Sequence, residues 1–351
     1  MKKVLITGVL GQDGANMVEL LLSQGEPIEI YGMMRRSANP NFVNTVNFEN
    51  HPNFKFVYGD LSDDVSIDML VKDIQPDYFI NFAANSFVGC SWDMPLQVMD
   101  TNAIGVLRCL EAIRKFKIDC RFYSAGSSEE WGDVDYAPQD IKHPIKPRSP
   151  YGASKAAARH LVKVYRESHG IYAVHGILFN HEGTKRGKEF VTRKITKGVA
   201  RIKGEVDAHM ESGYQSSVRA LELGNLDAKR DWSDSEDFVE GVWLMLNQDA
   251  PKDYILSSNE THSIREFIEL AFEAADFQDA EWRGGDLEEE YGFTVGGNWI
   301  TLVKINPKFF RPAEVDLLLG DSNPIREELG WSPKVSFDKL VQKMVEFDLN
   351  G

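Results

Sequence analysis

Short apolar segments recur along the first half of the chain and predict β-strands. They are rich in Val, Ile, Phe and Tyr, the residues that strands favour. The segments are Lys3–Thr7, Ile28–Met33, Phe54–Tyr58, Tyr78–Phe82, Arg121–Ser124 and Ala173–Phe179. Stretches of helical period lie between most of them, at Gly14–Gln24, Val65–Ile74, Asn102–Lys115 and Tyr151–His169. Strict alternation of this kind predicts an α/β fold in which a doubly wound parallel sheet carries helices on both faces.

The alternation weakens beyond about residue 180, and the pattern there predicts a second, smaller region of mixed structure. Helical patterns occur at Asp234–Asn247, Ile264–Ala274 and Phe337–Phe347, and polar loops are expected at Gly204–Ser217 and Asp279–Tyr291. Asp253–Ser258 has the pattern of one more strand, which we expect to return to the main sheet. We therefore predict a first domain over residues 1–180, completed by a segment around 225–260, and a discontinuous second domain within 181–351.

Charge and cysteine content exclude several classes of protein. The 351 residues include 39 Lys and Arg against 54 Asp and Glu, a formal net charge of −15, which would repel nucleic acid and anionic membrane surfaces. An anionic ligand must then be held by a local cluster of cations and helix N-termini. Cys90, Cys109 and Cys120 are odd in number and lack a paired C-x-x-C spacing, so we expect neither a disulfide framework nor a metal site.

The N-terminal sequence MKKVLITG lacks the apolar region and the small-residue cleavage site of a signal peptide. No apolar run approaches the length that spans a bilayer. We therefore expect a cytoplasmic protein that does not associate with membranes.

The first strand is followed at once by a glycine-rich turn, Gly8-x-x-Gly11-x-x-Gly14, that opens the first helix. Glycines at such a turn allow a sharp bend, close approach of the backbone to a pyrophosphate, and close packing of helix on strand. The position of the motif favours a Rossmann-like dinucleotide site, with Gln12 and Asp13 in the same turn. The alternative is a turn whose glycines serve structure alone.

Two arginines at the end of the second strand bear on the choice of cofactor. An NAD-binding fold usually has an Asp or Glu here for the ribose 2′-hydroxyl, whereas this chain has Arg35, Arg36 and Ser37. Guanidinium groups would bind a 2′-phosphate, which a carboxylate would repel. NADP is therefore the predicted cofactor, and the alternative is solvated surface charge or a contact between subunits.

Small and polar residues at two further strand ends extend the predicted cofactor site. Asp60 and Leu61 follow the third strand, where such folds place residues near the adenine. Ala83, Ala84 and Ser86 follow the fourth strand. Small side chains let a cofactor pass close to the backbone, although they are also common where strand ends simply pack.

Tyr151 and Lys155 form a Tyr-x-x-x-Lys pair on a predicted helix. Residues four apart lie on one face of a helix, so the ammonium can sit near both the phenol and a ribose. A phenol with an ordinary pKa near ~10 is a poor base at neutral pH, and an adjacent cation favours the phenolate. Together with the glycine turn, the pair predicts that Tyr151 is the acid/base of a hydride-transfer enzyme.

Ser127 and Glu129 follow the fifth strand, at the edge of the sheet where such folds meet their substrate. The Ser127 hydroxyl could hydrogen-bond the oxygen being oxidised, and Glu129 would point to the same side if the backbone stays extended. Simple hydride transfer needs no such carboxylate, so Glu129 indicates an elimination. A solvated loop acid is the alternative.

These residues resemble the extended short-chain dehydrogenase/reductase family and, within it, the GDP-mannose 4,6-dehydratases, over essentially the whole chain. Besides the glycine turn and the Tyr-x-x-x-Lys pair, the resemblance rests on six strings, of which those around Asn180 and Asn225 are the more specific. The strings are GDLSD (59–63), RSPYGASK (148–155), ILFNHE (177–182), EFVTRKI (189–195), LGNLDAKRDW (223–232) and FRPAEVDLLLGD (310–321).

The resemblance implies an NADP-dependent dehydration of GDP-mannose without net oxidation, carried out by a homo-oligomer, either dimer or tetramer. It implies that His181 and Arg186 approach the cofactor, although His181 alone is as typical of a satisfied core histidine. The implied catalytic residues are Ser127, Glu129, Tyr151 and Lys155. The residues implied to bind the substrate are Ser86, Asn180, Lys194, Arg230, Arg311 and Glu314, with a structural ion pair as the alternative for Arg230.

The chain departs from the family at several positions near the expected sugar site. Ser127 stands where Thr is usual, which keeps the hydroxyl but loses the methyl group that restricts the rotamer. Asn85 stands where Gln is usual, and Gly126 and Trp131 also differ from the commoner residues. These departures leave the exact hexose open. The stretch Gly204–Ala220 resembles an insertion of about ten residues.

Other functions fit parts of this pattern. A 4,6-dehydratase of another GDP-hexose or GDP-heptose would use the same residues. A nucleotide-sugar 4-reductase or 4-epimerase would need Tyr151, Lys155 and Ser127 but not Glu129, and a non-catalytic NADP-binding scaffold would need none of them. The presence of all four residues favours the dehydratase.

Overall fold

The computed structural model describes residues 1–212, 217–309 and 317–351, and the chain divides into two compact units. Unit 1 comprises Met1–His181, Asp231–Glu260 and Leu318–Lys334. Unit 2 comprises Glu182–Arg230, Thr261–Leu317 and Val335–Gly351. Within the described ranges, no helix is long and apolar enough to cross a membrane.

The strands and helices, in chain order, are β1 (Lys2–Thr7), α1 (Gln12–Ser23), β2 (Ile28–Met34), β3 (Phe54–Tyr58), α2 (Asp64–Ile74), β4 (Tyr78–Asn81), α3 (Pro95–Met99), α4 (Gly105–Phe116), β5 (Arg121–Ala125), α5 (Pro150–His169), β6 (Ala173–Leu178), β7 (Asn180–Glu182), α6 (Val191–Glu211), β8 (Leu221–Leu223), β9 (Lys229–Arg230), β10 (Trp232–Asp234), α7 (Ser235–Leu246), β11 (Tyr254–Leu256), β12 (His262–Ser263), α8 (Ile264–Glu273), β13 (Glu281–Arg283), β14 (Glu290–Val295), β15 (Asn298–Ile305), α9 (Asn323–Leu329) and α10 (Phe337–Asn350). Short 3₁₀ turns lie at Val88–Ser91, Ser128–Glu130, Asp286–Glu288 and Pro307–Phe309, and a π turn at Asp100–Ile104.

Unit 1 is built on a seven-stranded parallel sheet with the order β11-β6-β5-β4-β1-β2-β3. The chain order reverses between β1 and β4, where the carboxyl ends of the strands leave a crevice that suits ligands. Apolar side chains of α1 and α7 cover one face of the sheet, and those of α2, α4 and α5 cover the other. The predicted fold class is confirmed, and the strand expected near residue 255 is β11 at one edge of this sheet.

One predicted loop, Gly204–Ser217, is wrong over its first part because α6 continues to Glu211. The residues Val199, Ile202 and Val206 bury one face of the helix. Pairs between basic and acidic side chains one turn apart line the helix near Gly204. These contacts outweigh the roughly 1 kcal/mol that an interior glycine costs a helix. The rest of that stretch includes residues 213–216, which lie outside the described chain.

The second predicted loop, Asp279–Tyr291, contains β13 and the start of β14 in unit 2. Trp282 and Tyr291 face each other across this antiparallel pair, with ring centroids 4.8 Å apart. Cross-strand aromatic pairs stabilise a sheet, but β13 contains a single apolar residue and has no pattern that predicts a strand. The apolar alternation of β14, at Tyr291, Phe293 and Val295, lies at and beyond the end of the predicted loop. The two strands belong to a four-stranded sheet with the order β13-β14-β15-β8.

Candidate active site

The glycine-rich turn after β1 depends on backbone contacts that a side chain would block. Gly8 has a φ of +70°, in the left-handed region, and a Cβ there would lie 2.8 Å from the backbone nitrogen of Ala83. A Cβ on Gly14 would lie 2.4 Å from the carbonyl oxygen of Gly8. The Gly11 amide donates to that same carbonyl at 2.9 Å and closes the turn. The turn therefore leads directly into the N-terminus of α1, the end of a helix that attracts anions.

Gln12, Asp13 and His181 form a hydrogen-bonded group beside this turn. The Gln12 amide donates to the carbonyl oxygen of His181 at 3.0 Å. The His181 ring lies between the Phe179 carbonyl oxygen, 2.8 Å from Nδ1, and the Asp13 carboxylate, 3.0 Å from Nε2. Each ring nitrogen thus lies within hydrogen-bond distance of an oxygen atom. His181 thus connects β7 to the glycine turn.

An open cleft at the ends of β2 and β3 contains the two arginines that follow β2. Its volume is about 550 Å³, and its lining includes Arg35, Arg36, Ser37, Tyr58 and Asp60. Both arginines are exposed. Two neighbouring guanidinium groups beside a hydroxyl favour a phosphate over a neutral hydroxyl group.

The remaining predicted cofactor residues follow β3 and β4. The Asp60 carboxylate accepts two hydrogen bonds from the turn after β3, at 2.8 and 2.9 Å, and Leu61 is buried. The Ala83 amide donates to the hydroxyl at the end of β1 at 3.0 Å. Ala84 and Ser86 follow on the same loop, at the reversal point of the sheet.

Ser127 and Glu129 lie on the turn that follows β5, but the backbone there does not stay extended. Ser128–Glu130 form a 3₁₀ turn, and the Ser127 hydroxyl caps it by accepting the Glu129 amide at 3.2 Å. The extended backbone under which we expected both side chains on one side is therefore not present. A hydroxyl side chain that satisfies the first amides favours such a turn over a continued strand.

Tyr151 and Lys155 lie at the start of α5, with the ammonium 5.8 Å from the centre of the Tyr151 ring. Lys155 donates to the carbonyl oxygen of Ala125 at 2.7 Å, which joins the helix to the end of β5. Burial lowers the pKa of Lys155 to about 8, although the carboxylates of Glu130 and Asp13 oppose the shift. A buried ammonium beside a phenol stabilises the phenolate, as an acid/base tyrosine requires.

Two residues that sequence reasoning missed hold these segments together. Asn102, in the π turn before α4, accepts the Asn85 amide at 2.8 Å and donates to the Ser154 hydroxyl at 3.1 Å. Gly152 lets α5 approach the turn after β5, because a Cβ there would lie 2.3 Å from the Glu129 carbonyl oxygen. A polar residue within an apolar helical pattern is the signal for Asn102. No signal marks Gly152, since its neighbour is remote in sequence.

The residues predicted to bind the substrate belong to both units. Asn180 is part of unit 1, and its side-chain oxygen is buried without a hydrogen-bond partner in the described chain. Lys194 is part of unit 2, where it donates to the Glu222 carbonyl oxygen at 2.7 Å and lies 3.7 Å from the centre of the Phe309 ring. Burial lowers the pKa of Lys194.

Two arginines of unit 2 also have partners within that unit. Arg186 lies 3.0 Å from a Glu182 carboxylate oxygen, with its guanidinium 3.5 Å from the centre of the Phe190 ring. Arg230, on β9, is buried and donates to the carbonyl oxygen of the preceding residue. Arg311 and Glu314 lie outside the described residues. The binding roles of these residues stay predictions.

Comparison with known proteins identifies the family of the chain. A family model described as GDP-mannose 4,6 dehydratase matches residues 5–344. The chain is 43% identical to GDP-mannose 4,6 dehydratase 1 of Arabidopsis thaliana, over 99% of this chain and 90% of that protein. It is 41% identical to the GDP-mannose 4,6 dehydratase of Drosophila melanogaster, over 99% and 86%.

Among solved structures, the fold is similar to that of dTDP-glucose 4,6-dehydratase from Streptomyces venezuelae, crystallised with NAD. The TM-score is 0.79 and the identity 21%, over 98% of this chain and 96% of that one. The motif strings and the family model thus lead to the same conclusion. The chain belongs to the GDP-mannose 4,6-dehydratase family.

Proposed function

We propose that this chain removes water from GDP-mannose to give GDP-4-keto-6-deoxymannose, as an NADP-dependent nucleotide-sugar 4,6-dehydratase. Family membership across nearly the whole chain carries the proposal. It is supported by the chemistry available in unit 1, where a hydroxyl, a carboxylate, a phenol and an ammonium follow β5 or begin α5. These groups are Ser127, Glu129, Tyr151 and Lys155.

The glycine turn and the arginine cleft fit a dinucleotide that carries a 2′-phosphate. A Cβ at Gly8 or Gly14 would meet backbone atoms at 2.8 or 2.4 Å, so glycine keeps this turn compact at the N-terminus of α1. We infer that the turn holds the pyrophosphate and that Arg35 and Arg36 select NADP over NAD. When bound, the dinucleotide would supply the hydride acceptor for C4 of the sugar and the hydride donor for C6.

The residues of the chain then handle the protons. Tyr151, held as a phenolate by Lys155, takes the proton of the 4-hydroxyl as C4 is oxidised, and the Ser127 hydroxyl bonds the same oxygen. The resulting 4-ketone acidifies the C5 hydrogen, so Glu129 can remove it and protonate the 6-hydroxyl, which leaves as water. C6 would receive from the bound dinucleotide the hydride taken from C4, and the proton that Tyr151 took from the 4-hydroxyl passes to C5, so that the reaction is redox-neutral overall.

We also propose that the enzyme is a cytoplasmic homo-oligomer, either a dimer or a tetramer. Large apolar side chains of unit 1 are exposed close together in sequence, at Trp92, Leu96, Met99 and Ile104, and Leu96 is 85% exposed. Exposed apolar patches are typical of protein–protein contacts. Light scattering on the purified protein should give a multiple of the 39.7 kDa chain mass, and a monomer would contradict this part of the proposal.

Incubation of the purified protein with GDP-mannose, without added reductant, tests the proposed activity. Mass spectrometry should show a product lighter by about 18 Da, the mass of the water that is eliminated. Glu129→Gln should lose this product, whereas Glu288→Gln, at an exposed acid of unit 2, should keep it. Dehydration of a different GDP-hexose or GDP-heptose would keep the mechanism and change the substrate. Reduction of a 4-keto sugar by added NADPH, with no dehydration, would favour a reductase.

A further inference from the structure

A pair of buried titratable side chains lies at the catalytic turn, Ser127–Glu130, and the proposed chemistry does not use it. Glu130 and His175 are both 0% exposed, and His175 Nε2 lies 2.8 Å from Glu130 Oε1. Glu130 ends the 3₁₀ turn after β5. His175 lies on β6, in register with Ser124 of β5. The pair therefore connects the catalytic turn to the neighbouring strand of the sheet.

The same carboxylate oxygen also holds the backbone of the catalytic serine. The Ser127 amide donates to Glu130 Oε1 at 2.9 Å, while the Ser127 hydroxyl accepts the Glu129 amide at 3.2 Å. Such reciprocal bonds fix the entry of a turn. Because Glu130 is bonded to β6 as well, the position of Ser127 is set by the sheet and not by the turn alone.

The Glu130 carboxylate is compensated although the pair is fully buried. Burial favours the neutral acid at Glu130, but the hydrogen bonds from His175 and Ser127 and the guanidinium of Arg159 hold the pKa of Glu130 below its usual range. Arg159 Nη1 lies 3.7 Å from the second carboxylate oxygen. Nδ1 of His175 has no hydrogen-bond partner in the described chain. The Glu130 carboxylate therefore lies beside the Ser127 amide, the His175 ring and a guanidinium, which compensate its burial.

Gly126 makes room for this pair. A Cβ at Gly126 would lie 2.3 Å from His175 Nε2 and 2.7 Å from Glu130 Oε1. Real Cβ atoms do not approach other atoms so closely, and a side chain here would push the two partners apart. The Gly126 amide bonds the carbonyl oxygen of Gly176 on β6 at 2.8 Å, so the backbone cannot easily move away. The departure of the chain from its family at Gly126 thus has a physical reason.

We propose that Glu130 and His175 are positioning residues, which hold Ser127 and the adjoining Glu129 in the alignment that dehydration needs. Glycine is required at position 126 because this pair fills the space that a side chain would occupy. The inference rests on the proposed function, since it concerns the same catalytic turn. Neither residue needs to contact the substrate. Both act through the Ser127 amide.

Substitution of Glu130 provides the first test. Glu130→Ala removes the acceptor of both N–H groups and should lower kcat by about 10- to 100-fold, because small misplacements of reacting groups cost that much. Glu130→Gln keeps an oxygen for both donors and should stay within about threefold of the wild type. The KM for GDP-mannose and the affinity for NADPH should change little in both variants.

Asp348→Ala is the matched control, because it breaks a buried ion pair of unit 2 in which Asp348 lies 2.8 Å from Arg193 and both side chains are 5% exposed. This variant should lose stability without a change in kcat of the folded protein. If Glu130→Ala behaves in the same way, with wild-type kcat and only a lower melting temperature, the positioning role is overturned and the pair is structural.

Coupling between positions 126 and 175 provides the second test. Gly126→Ala should lower kcat in the wild type, because its Cβ would displace the His175 ring. In a His175→Ala background the ring is gone and the Glu130 carboxylate is free to shift, so the same change should add little further loss. Losses that multiply independently would contradict the explanation of Gly126, since independent sites show additive free-energy effects.

Hydrogen exchange separates failure of this inference from failure of the proposed function. Exchange of the Ser127 amide should be faster in Glu130→Ala than in the wild type and unchanged in Asp348→Ala. This readout requires no activity, so it decides the anchoring even if the wild type dehydrates no GDP-sugar. Unchanged protection of the Ser127 amide in Glu130→Ala would overturn the inference whatever the activity.

Discussion

Lys155 keeps a charge in a buried position, and its replacement should increase stability while it lowers activity. The residue is 6% exposed, and burial lowers its pKa from 10.5 to about 8. At about 1.36 kcal/mol per pKa unit, the folded state carries this charge at a cost of about 3 kcal/mol at neutral pH. Loss of the hydrogen bond to Ala125 would offset about 1 kcal/mol of the gain. Lys155→Met should therefore raise the free energy of unfolding by about 2 kcal/mol at pH 7 and lower kcat by at least about 100-fold.

The pH dependence of this difference identifies its origin. The folded-state pKa of Lys155, about 8, lies below the unfolded value of 10.5, so the unfolded chain binds more protons across that window. The contribution of Lys155 to wild-type stability should therefore rise with pH from about 8 to about 10.5. The advantage of Lys155→Met should disappear over the same range.

Denaturant unfolding of the cofactor-free protein at several pH values between about 7 and about 10 measures the effect. Lys163→Met, at an exposed position on the same helix, is the matched control and should change neither stability nor kcat. A Lys155→Met protein that is less stable than the wild type at pH 7, or a difference that does not depend on pH, would refute the reasoning.

Three further sets of substitutions test other parts of the structure. Arg35→Ala and Arg36→Ala should weaken NADPH binding about tenfold or more and leave NADH binding almost unchanged, as measured by nicotinamide fluorescence. Equal losses for both cofactors would contradict the NADP assignment. Gly14→Ala should lower the free energy of unfolding by about 2–4 kcal/mol, since its Cβ would lie 2.4 Å from a carbonyl oxygen. A Cβ at Gly285 would meet nothing within 4 Å, so Gly285→Ala should be neutral in the same denaturant unfolding assay. Asp348→Ala should cost about 3–5 kcal/mol by leaving a buried guanidinium without its partner, and a loss below about 1 kcal/mol in that assay would speak against a buried ion pair.

The main sheet and the glycine turn could be predicted because their signals are local. The strands of the seven-stranded sheet are short runs rich in apolar residues. Gly8, Gly11 and Gly14 lie within the seven-residue turn that they shape. The short strand β13 could not be predicted in this way. Trp282 is its one apolar residue, and its pairing depends on the contact of that ring with Tyr291 of β14, which leaves no local pattern in β13.

The catalytic turn shows the same limit within the site. The positions of Ser127 and Glu129 after a strand mark them in the sequence, but Glu130 has the features of a solvated loop acid there and is fully buried in the structure. Its partner, His175, lies within an apolar strand on the far side of α5 in sequence. A buried polar pair of this kind is recognised only when the two segments are seen side by side, because the stabilising energy belongs to neither segment alone.

In the proposed reaction, the hydrogen on C4 of the sugar moves to C6 within one turnover, while Tyr151 and Glu129 handle the protons. A mixture of GDP-mannose deuterated at C4 and unlabelled GDP-mannose, with an excess of unlabelled free NADPH, tests it by NMR of the product. Deuterium should be found at C6 of the molecules that carried it, undiluted by the free NADPH. Loss of the deuterium to solvent or to the NADPH pool would contradict internal hydride transfer and with it the proposed mechanism.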